Sequence, residues 1–177
     1  MHLSYTALEQ GLRQLPPPPT DEGTVALVVA RPRTDARLTP ERCRLTPAGG
    51  VEGDRWAQRE NPHPASQITV MRADVARLIA NGQPLSHFGD NLLVEIDLSP
   101  ANLPTGTRLQ VGTALCEVTP KPHTGCGKFE ARFGQDAREV TNAGEFQDWR
   151  LRGLYVRVLE AGEVGPGDRV RVLSRPE

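Results

Sequence analysis

The sequence predicts a mainly β, barrel-like domain with a few short peripheral helices. Three observations carry that reading. Sixteen prolines and seventeen glycines in 177 residues impose frequent turns, as a fold of short strands requires. Short runs rich in β-branched residues recur between those turns. These runs do not alternate with regular helical patterns, which a parallel α/β fold would need. The length suits one compact domain with a real core.

The elements follow in chain order. Residues 1–23 form an N-terminal helix and a connector. Leu8, Leu12 and Leu15 recur at helical spacing, Thr6 and Glu9 have the spacing of a capping box, and "PPPP" at 16–19 ends the helix in a stiff, extended stretch. The barrel domain spans 24–177. "TVALVVA" (24–30) reads as a buried strand, and 31–65 reads as a long, polar, irregular surface loop. "SQITVM" (66–71) is strand-like. "RADVARLIANG" follows as a helix with Val75, Leu78 and Ile79 inward and Asn81-Gly82 as its stop. Further strands are expected at 92–96, 108–111, 114–118, 154–159 and 169–173. "PTGTRLQV" (104–111) and "GPGDRVRV" (165–172) share a turn leading into a half-buried strand, which suits a barrel of similar hairpins.

Composition excludes several function classes. Twenty-one basic and 22 acidic residues give a formal net charge of −1, without the electrostatic footprint of a nucleic-acid binder. Eight aromatics, unclustered, offer no platform for stacking single strands. The start "MHLSYTALEQGLRQL" is too polar for a secretory signal, and no stretch has the apolar length of a membrane span. Cys43, Cys116 and Cys126 are odd in number and form no Cys-x-x-Cys pair, so reduced thiols in a cytoplasmic protein are expected.

The stretch that carries chemistry is "EVTPKPHTGCGKFEARFG" (117–134). Phe129 and Phe133 at i, i+4, with Gly134 as a stop, predict two helical turns beginning just after Cys126. A cysteine there meets unpaired backbone amides and the positive end of the helix dipole, which favour thiolate. Lys128, and His123 when protonated, act in the same direction. Gly125 and Gly127 permit close approach to the main chain, and their amides have the makings of an anion-binding nest. The competing reading is that Cys126 is one more small buried hydrophobe. Cys116, mid-strand in "ALCEV", is a core position, and Cys43 has neither a helix start nor a histidine nearby. "TGCGKF" is not a phosphate-binding P-loop: Pro122 replaces the first glycine, and Phe129 replaces the hydroxyl residue that holds magnesium. His123 and Cys126 make half a zinc site at most, since no second ligand pair exists. His63 and His87 stand alone, and no Gly-x-Ser-x-Gly elbow is present.

Four segments together resemble the MOSC domain, named for the C-terminal domain of molybdenum cofactor sulfurases. "GGVEGDRWA" (49–57) is similar to the family's Gly-x-x-Gly-Asp-Arg segment, with Trp56 where His is common. "FGDNLLVEIDL" (88–98) is similar to its Gly-Glu-Asn segment, with Asp90 for Glu. "LPTGTRLQVGTALCEVTPKPHTGC" (103–126) is similar to the approach to its cysteine, Cys126, with Gly125 where many relatives have Pro. "RGLYVRVLEAGEVGPGDRVRV" (152–172) is similar to its closing segment.

The resemblance implies a β-barrel with a cysteine at its chemical centre, working on molybdenum cofactor (molybdopterin) or sulfur. In that reading Cys126 either ligates molybdenum or carries a persulfide, with His123 beside it. An anionic cofactor implies a cationic cleft, for which Arg55, Lys128 and Arg152 are candidates, with Gly125 and Gly127 near the main chain and Asn91 for a pterin edge. In multi-domain relatives a pyridoxal phosphate domain extracts the sulfur. Here pyridoxal phosphate is expected only through a separate, cysteine desulfurase-like donor, or a reductase partner would be needed instead. The functions this leaves open are a molybdenum-dependent reductase of small N-hydroxylated compounds, a sulfur-transfer protein, and a non-catalytic β-barrel binding module with a structural cysteine. The ligand is a small molecule, with neither nucleic acid nor membrane as partner.

Overall fold

The computed structural model describes residues 1–177. Seven strands close into a barrel: β1 (Glu22–Val28), β4 (Ile68–Arg72), β5 (Leu92–Val94), β6 (Arg108–Val111), β7 (Ala114–Val118), β8 (Leu154–Glu160) and β10 (Arg169–Ser174). Their order around the barrel is β1-β10-β6-β7-β8-β4-β5, and β5 pairs back onto β1. Every pairing is antiparallel except β4 with β5, which α2 (Ala73–Ala80) connects. The mainly β barrel expected from the sequence is therefore the observed fold.

Local chemistry explains the joints. The β6–β7 hairpin turns through Gly112-Thr113, and Gly112 has φ +58°, the left-handed conformation a two-residue hairpin loop demands. The two similar segments noted in the sequence become neighbours: β6 and β10 pair with Val111 opposite Val170.

The segment 31–65 is more ordered than its polarity suggested. It contains β2 (Cys43–Thr46) and β3 (Gly50–Val51), which join β9 (Gly162–Val164) in a small three-stranded sheet in the order β3-β2-β9. Cys43 and Leu45 alternate inward from β2 with exposed Arg44 between them. Two 3₁₀ turns, at 55–58 and 64–66, complete the segment.

Two cores result. One fills the barrel and runs under the small sheet, with Cys43, Leu45, Cys116, Val118 and Val156 among its residues. The other lies between the barrel's outer wall and a helical layer of α1 (Tyr5–Gln14), α2, α3 (Gly127–Phe133) and α4 (Gln135–Asn142). The α1 helix buries Leu8 and Leu12 in that second core, so the N-terminal helix is packed onto the layer. Its cap is Ser4, whose Oγ accepts from the Ala7 amide at 3.2 Å. Thr6 lies inside the helix, and Glu9 accepts from Arg13 at 3.1 Å, so the expected Thr6–Glu9 box does not form.

Candidate functional site at Cys126

The loop 119–126 leaves β7 and carries Cys126 to the start of α3. Pro120 and Pro122 keep it extended, and Thr119 Oγ1 donates to the Ala65 carbonyl at 2.6 Å. Its far end is pinned by Asn142 of α4, which accepts from the Gly125 amide at 3.0 Å and donates to the Gly125 carbonyl at 3.1 Å. The Gly125 amide is thereby occupied, so the glycine nest expected around the cysteine does not form. Gly125 is small for another reason: a Cβ there would stand 2.9 Å from Thr141 Oγ1.

Cys126 is the N-cap residue of α3 and is exposed, while Cys43 and Cys116 are buried. Partial burial alone would raise its pKa. That effect is outweighed by the nearby Phe129 and Lys128 backbone amides at the start of α3 and by the positive charges of Arg152 and Lys128, and the net shift is downward. Burial dominates at the others: with Glu52 adding to it and Arg42 opposing, it pushes Cys43 up to about 11, and acting alone it pushes Cys116 up to about 12. One thiol of three is thus both reachable and acidified.

Beside it opens a small cavity of about 140 Å³. Six cations line it, Arg31, Arg37, Arg55, Lys128, Arg132 and Arg152, against two carboxylates, Asp35 and Asp90. A large excess of positive charge facing a shared hollow favours anions.

Two buried polar systems hold two of these cations, Arg31 and Arg152. In the first, Asp54 accepts from Arg31 Nε at 2.9 Å and from the Trp56 amide at 3.0 Å. Burial raises the Asp54 pKa, but the hydrogen bond and charge of Arg31 outweigh this and leave it below the usual carboxylate value. Asn91 is fully buried behind the pair: its Nδ2 donates to Asp54 and to the Val29 carbonyl, and its Oδ1 accepts from Arg31 and Thr69. All of Asn91's capacity is spent within the protein, so it orients Arg31 and Asp54 and has nothing left for a pterin edge. Trp56 is buried in this segment and donates to the His63 carbonyl at 3.3 Å.

In the second system, Arg152 donates to Asp90 at 2.9 Å and lies 4.7 Å above the Phe129 ring. Its other terminal nitrogen is 3.3 Å from His123 Nε2. Arg152 can only donate, so Nε2 accepts and the imidazole proton sits on Nδ1, facing Asp90 Oδ1 at 3.6 Å. Burial pushes the His123 pKa down to about 4; Asp90 opposes this and Arg152 adds to it. His123 is therefore neutral near pH 7 and contributes no charge to the thiolate, contrary to the role a protonated imidazole would play. Four buried polar atoms are left without a partner: Arg37 Nε, Asp90 Oδ1, His123 Nδ1 and Arg152 Nε.

The structure thus places Cys126, His123, Arg55, Lys128 and Arg152 around one cavity, with Gly127 open at the start of α3 and Asn91 and Gly125 behind it. Sequence reasoning missed Arg31, Arg37 and Arg132. The first two fall where the chain read as irregular loop, and Arg132 lies in the short helix after Cys126, where it closes the rim, donating to the His87 carbonyl and Asp35. No cluster of three or more His, Cys, Asp or Glu is poised to hold a metal, and of the three cysteines Cys126 alone lines the cavity. No helix is long and apolar enough to cross a membrane.

Comparison with known proteins fits this geometry into a lineage. The MOSC domain model matches residues 52–171. The chain is a member of the MOSC family. MOSC domains in general are associated with molybdenum cofactor. A relative of this MOSC protein is the uncharacterized protein YflK of Bacillus subtilis, 35% identical over 97 residues, which are 54% of this chain and 41% of that protein. The matched stretch therefore spans about two fifths of that relative's length. Among solved structures, YiiM from Escherichia coli superposes with a TM-score of 0.57 at 21% identity, covering 87% of this chain and 71% of that one. The YuaD protein from Bacillus subtilis gives 0.59 at 16% identity, covering 88% of this chain and 97% of that one. These likenesses show the fold.

Proposed function

We propose that this MOSC protein binds molybdenum cofactor at the cationic cavity, with the Cys126 thiolate as the protein's ligand to the metal. The observation that carries the reading is the convergence of six cations on one acidified, exposed thiol. A structural cysteine has no use for either feature. The residues fit the group in charge and softness: a thiolate is the natural protein donor for a soft metal site, and Arg55, Arg132 and Lys128 at the rim match phosphate and other oxyanions. The unpartnered Arg37 Nε and Arg152 Nε are hydrogen-bond donors lacking an acceptor in the protein. At about 140 Å³ the cavity suits a ligand's head group, since whole small-molecule sites run to roughly 300–1,000 Å³.

Bound there, the cofactor would supply redox and oxygen-atom chemistry, and reduction of a small N-hydroxylated compound is the reaction class that follows. The protein's own part is positional. The Lys128 and Phe129 amides favour the deprotonated sulfur, Asp54 and Asn91 fix Arg31, and Asp90 fixes Arg152. Electrons would come from a separate reductase partner.

One observation favours sulfur carriage as a second reading. Cys43 and Cys116 are sealed in the barrel core, so a persulfide on Cys126 would have no neighbouring thiol to collapse it into an internal disulfide. In that case the thiolate attacks the outer sulfur of a donor persulfide. A new sulfur–sulfur bond forms on Cys126, and the donor, such as a cysteine desulfurase using pyridoxal phosphate, leaves as thiolate.

Purification from a host that makes the cofactor, followed by elemental analysis, tests both. Near-stoichiometric molybdenum that disappears in Cys126→Ser supports the cofactor reading. Metal-free protein with the mass of one extra sulfur on Cys126, removed by reductant, supports carriage. A blank in both, with Cys126→Ser altering stability only, leaves a binding module.

A further inference from the structure

Behind the cysteine loop lies a second, larger cavity of about 730 Å³. The loop 119–126 is the wall between them, and His123 and Arg152 line both. This volume is within the usual range for a whole small-molecule site. Its lining contains four cations, Lys121, Arg138, Arg150 and Arg152, and not one Asp or Glu among twenty residues. Twenty-two acidic residues in the chain nearly balance the basic ones, so an acid-free hollow of this size is a local departure from composition.

Two of the four charges are uncompensated. Arg150 donates to the Leu98 and Leu103 carbonyls at 3.2 and 2.7 Å, faces no carboxylate, and is held in the left-handed conformation at φ +46°. Burial lowers its pKa, which marks a cation held partly out of water without a counter-ion. Lys121 lies 5.9 Å over the Tyr155 ring and pairs with no carboxylate. Arg152 is 6% exposed, and its buried Nε has no partner in the protein. Phe146 and Leu151 add an apolar wall.

We infer that this cavity is a second binding site, distinct from the Cys126 site, for a small polyanion bearing phosphate or several carboxylates. Several converging cations answer more than one negative charge, guanidinium forks match both phosphate and carboxylate, and the apolar wall accommodates a compact carbon skeleton. The site needs no metal and no thiol; it shares His123 and Arg152 with the Cys126 cavity, whereas Lys121, Arg138 and Arg150 line it and not the Cys126 cavity.

Isothermal titration of the full chain with inorganic pyrophosphate and, separately, citrate tests it. Saturable binding with a dissociation constant below about 1 mM is expected for at least one probe, and which of them binds assigns phosphate or polycarboxylate chemistry. Lys121→Ala removes an exposed side chain and should weaken binding about tenfold or more. Gly144→Phe, at a lining position where a Cβ meets no atom within 4 Å, should block the cavity without disturbing the core. Lys128→Ala and Cys126→Ser should leave the Lys121-dependent binding event as in the parent, within about twofold, and should alter only a separate event at the cysteine cavity where one is seen. No saturable binding of either probe up to about 10 mM overturns the inference. So does binding that Lys128→Ala weakens as much as Lys121→Ala, which would place the anion at the cysteine instead.

Discussion

At the scale of single residues, the site turns on one contrast among three thiols. Cys126 is exposed and its pKa is lowered; Cys43 and Cys116 are buried, with pKa values of about 11 and 12. The thiolate is the reactive species, so alkylation of the native protein should modify Cys126 alone, and all three cysteines after unfolding. The sign follows from the shift. A lowered pKa leaves more thiolate at a given pH, so the rate of iodoacetamide reaction should reach half its plateau below the midpoint of an ordinary thiol, near 8.5. Lys128→Ala should move that midpoint upward, because one of the favouring charges is gone. Following the rate by mass spectrometry between pH 5 and pH 10 decides it; a midpoint at or above that of a free thiol would refute the activation. The neighbouring charges were only partly legible from sequence. Lys128 and Arg152 sit near Cys126 or in a recognisable segment, whereas Arg31 reaches the cavity only because a buried Asp54–Asn91 pair aims it there. Such a partnership, between residues 23 and 60 positions from Arg31 in sequence, leaves no local pattern to read.

At the scale of elements, strands with a clean alternation of buried and exposed residues were legible: β6 and β7 match their expected bounds, and β8 and β10 extend theirs by one residue. What escaped was short or weakly patterned. Only two residues make β3, three make β9, and α4 buries just Ala137 and Val140 in an otherwise polar stretch. Glycines separate joints from bystanders among these elements. Gly153 leads into β8 with φ +89°, and a Cβ there would run into the Val70 carbonyl of β4. Gly127, in the first turn of α3, has open space around it. Gly153→Ala must therefore either distort the β4–β8 pairing or displace the adjacent Arg152, and should cost about 3 kcal/mol or more. Gly127→Ala should be neutral or stabilising by up to about 1 kcal/mol. Urea unfolding of both variants checks the pair, and equal effects would mean that the two backbone environments do not differ as described.

At the scale of the whole molecule, the Cys126 site occupies the seam between two cores. Cys126, Asp90 and Arg152 stand where the helical layer meets the barrel wall, and His123 is packed into that seam against Tyr155 with ring centroids 4.8 Å apart. A charge gained there is felt by both cores. The groups facing His123 are Asp90, which favours its protonation, and Arg152, which opposes it; burial decides the balance and brings the pKa to about 4. An unfolded histidine titrates near 6.5. Between these values the unfolded chain carries a proton that the folded one does not, so stability falls as pH drops from above 6.5 to about 4, and the contribution is spent below that. The loss from this group is on the order of 3 kcal/mol. Asp54 acts in a different window. Its folded pKa lies below the ordinary carboxylate value of 3.8, so the stability it contributes is lost only at more acidic pH. Urea midpoints of the parent and of His123→Gln, measured at several points from pH 7 to pH 4, separate the two. The parent should weaken steadily across that range while His123→Gln stays nearly flat down to pH 4, the two declining together below it. Parallel slopes above pH 4 would mean that the imidazole takes up its proton in the folded protein as it does in the unfolded one, and the depressed pKa of His123 would have to be abandoned.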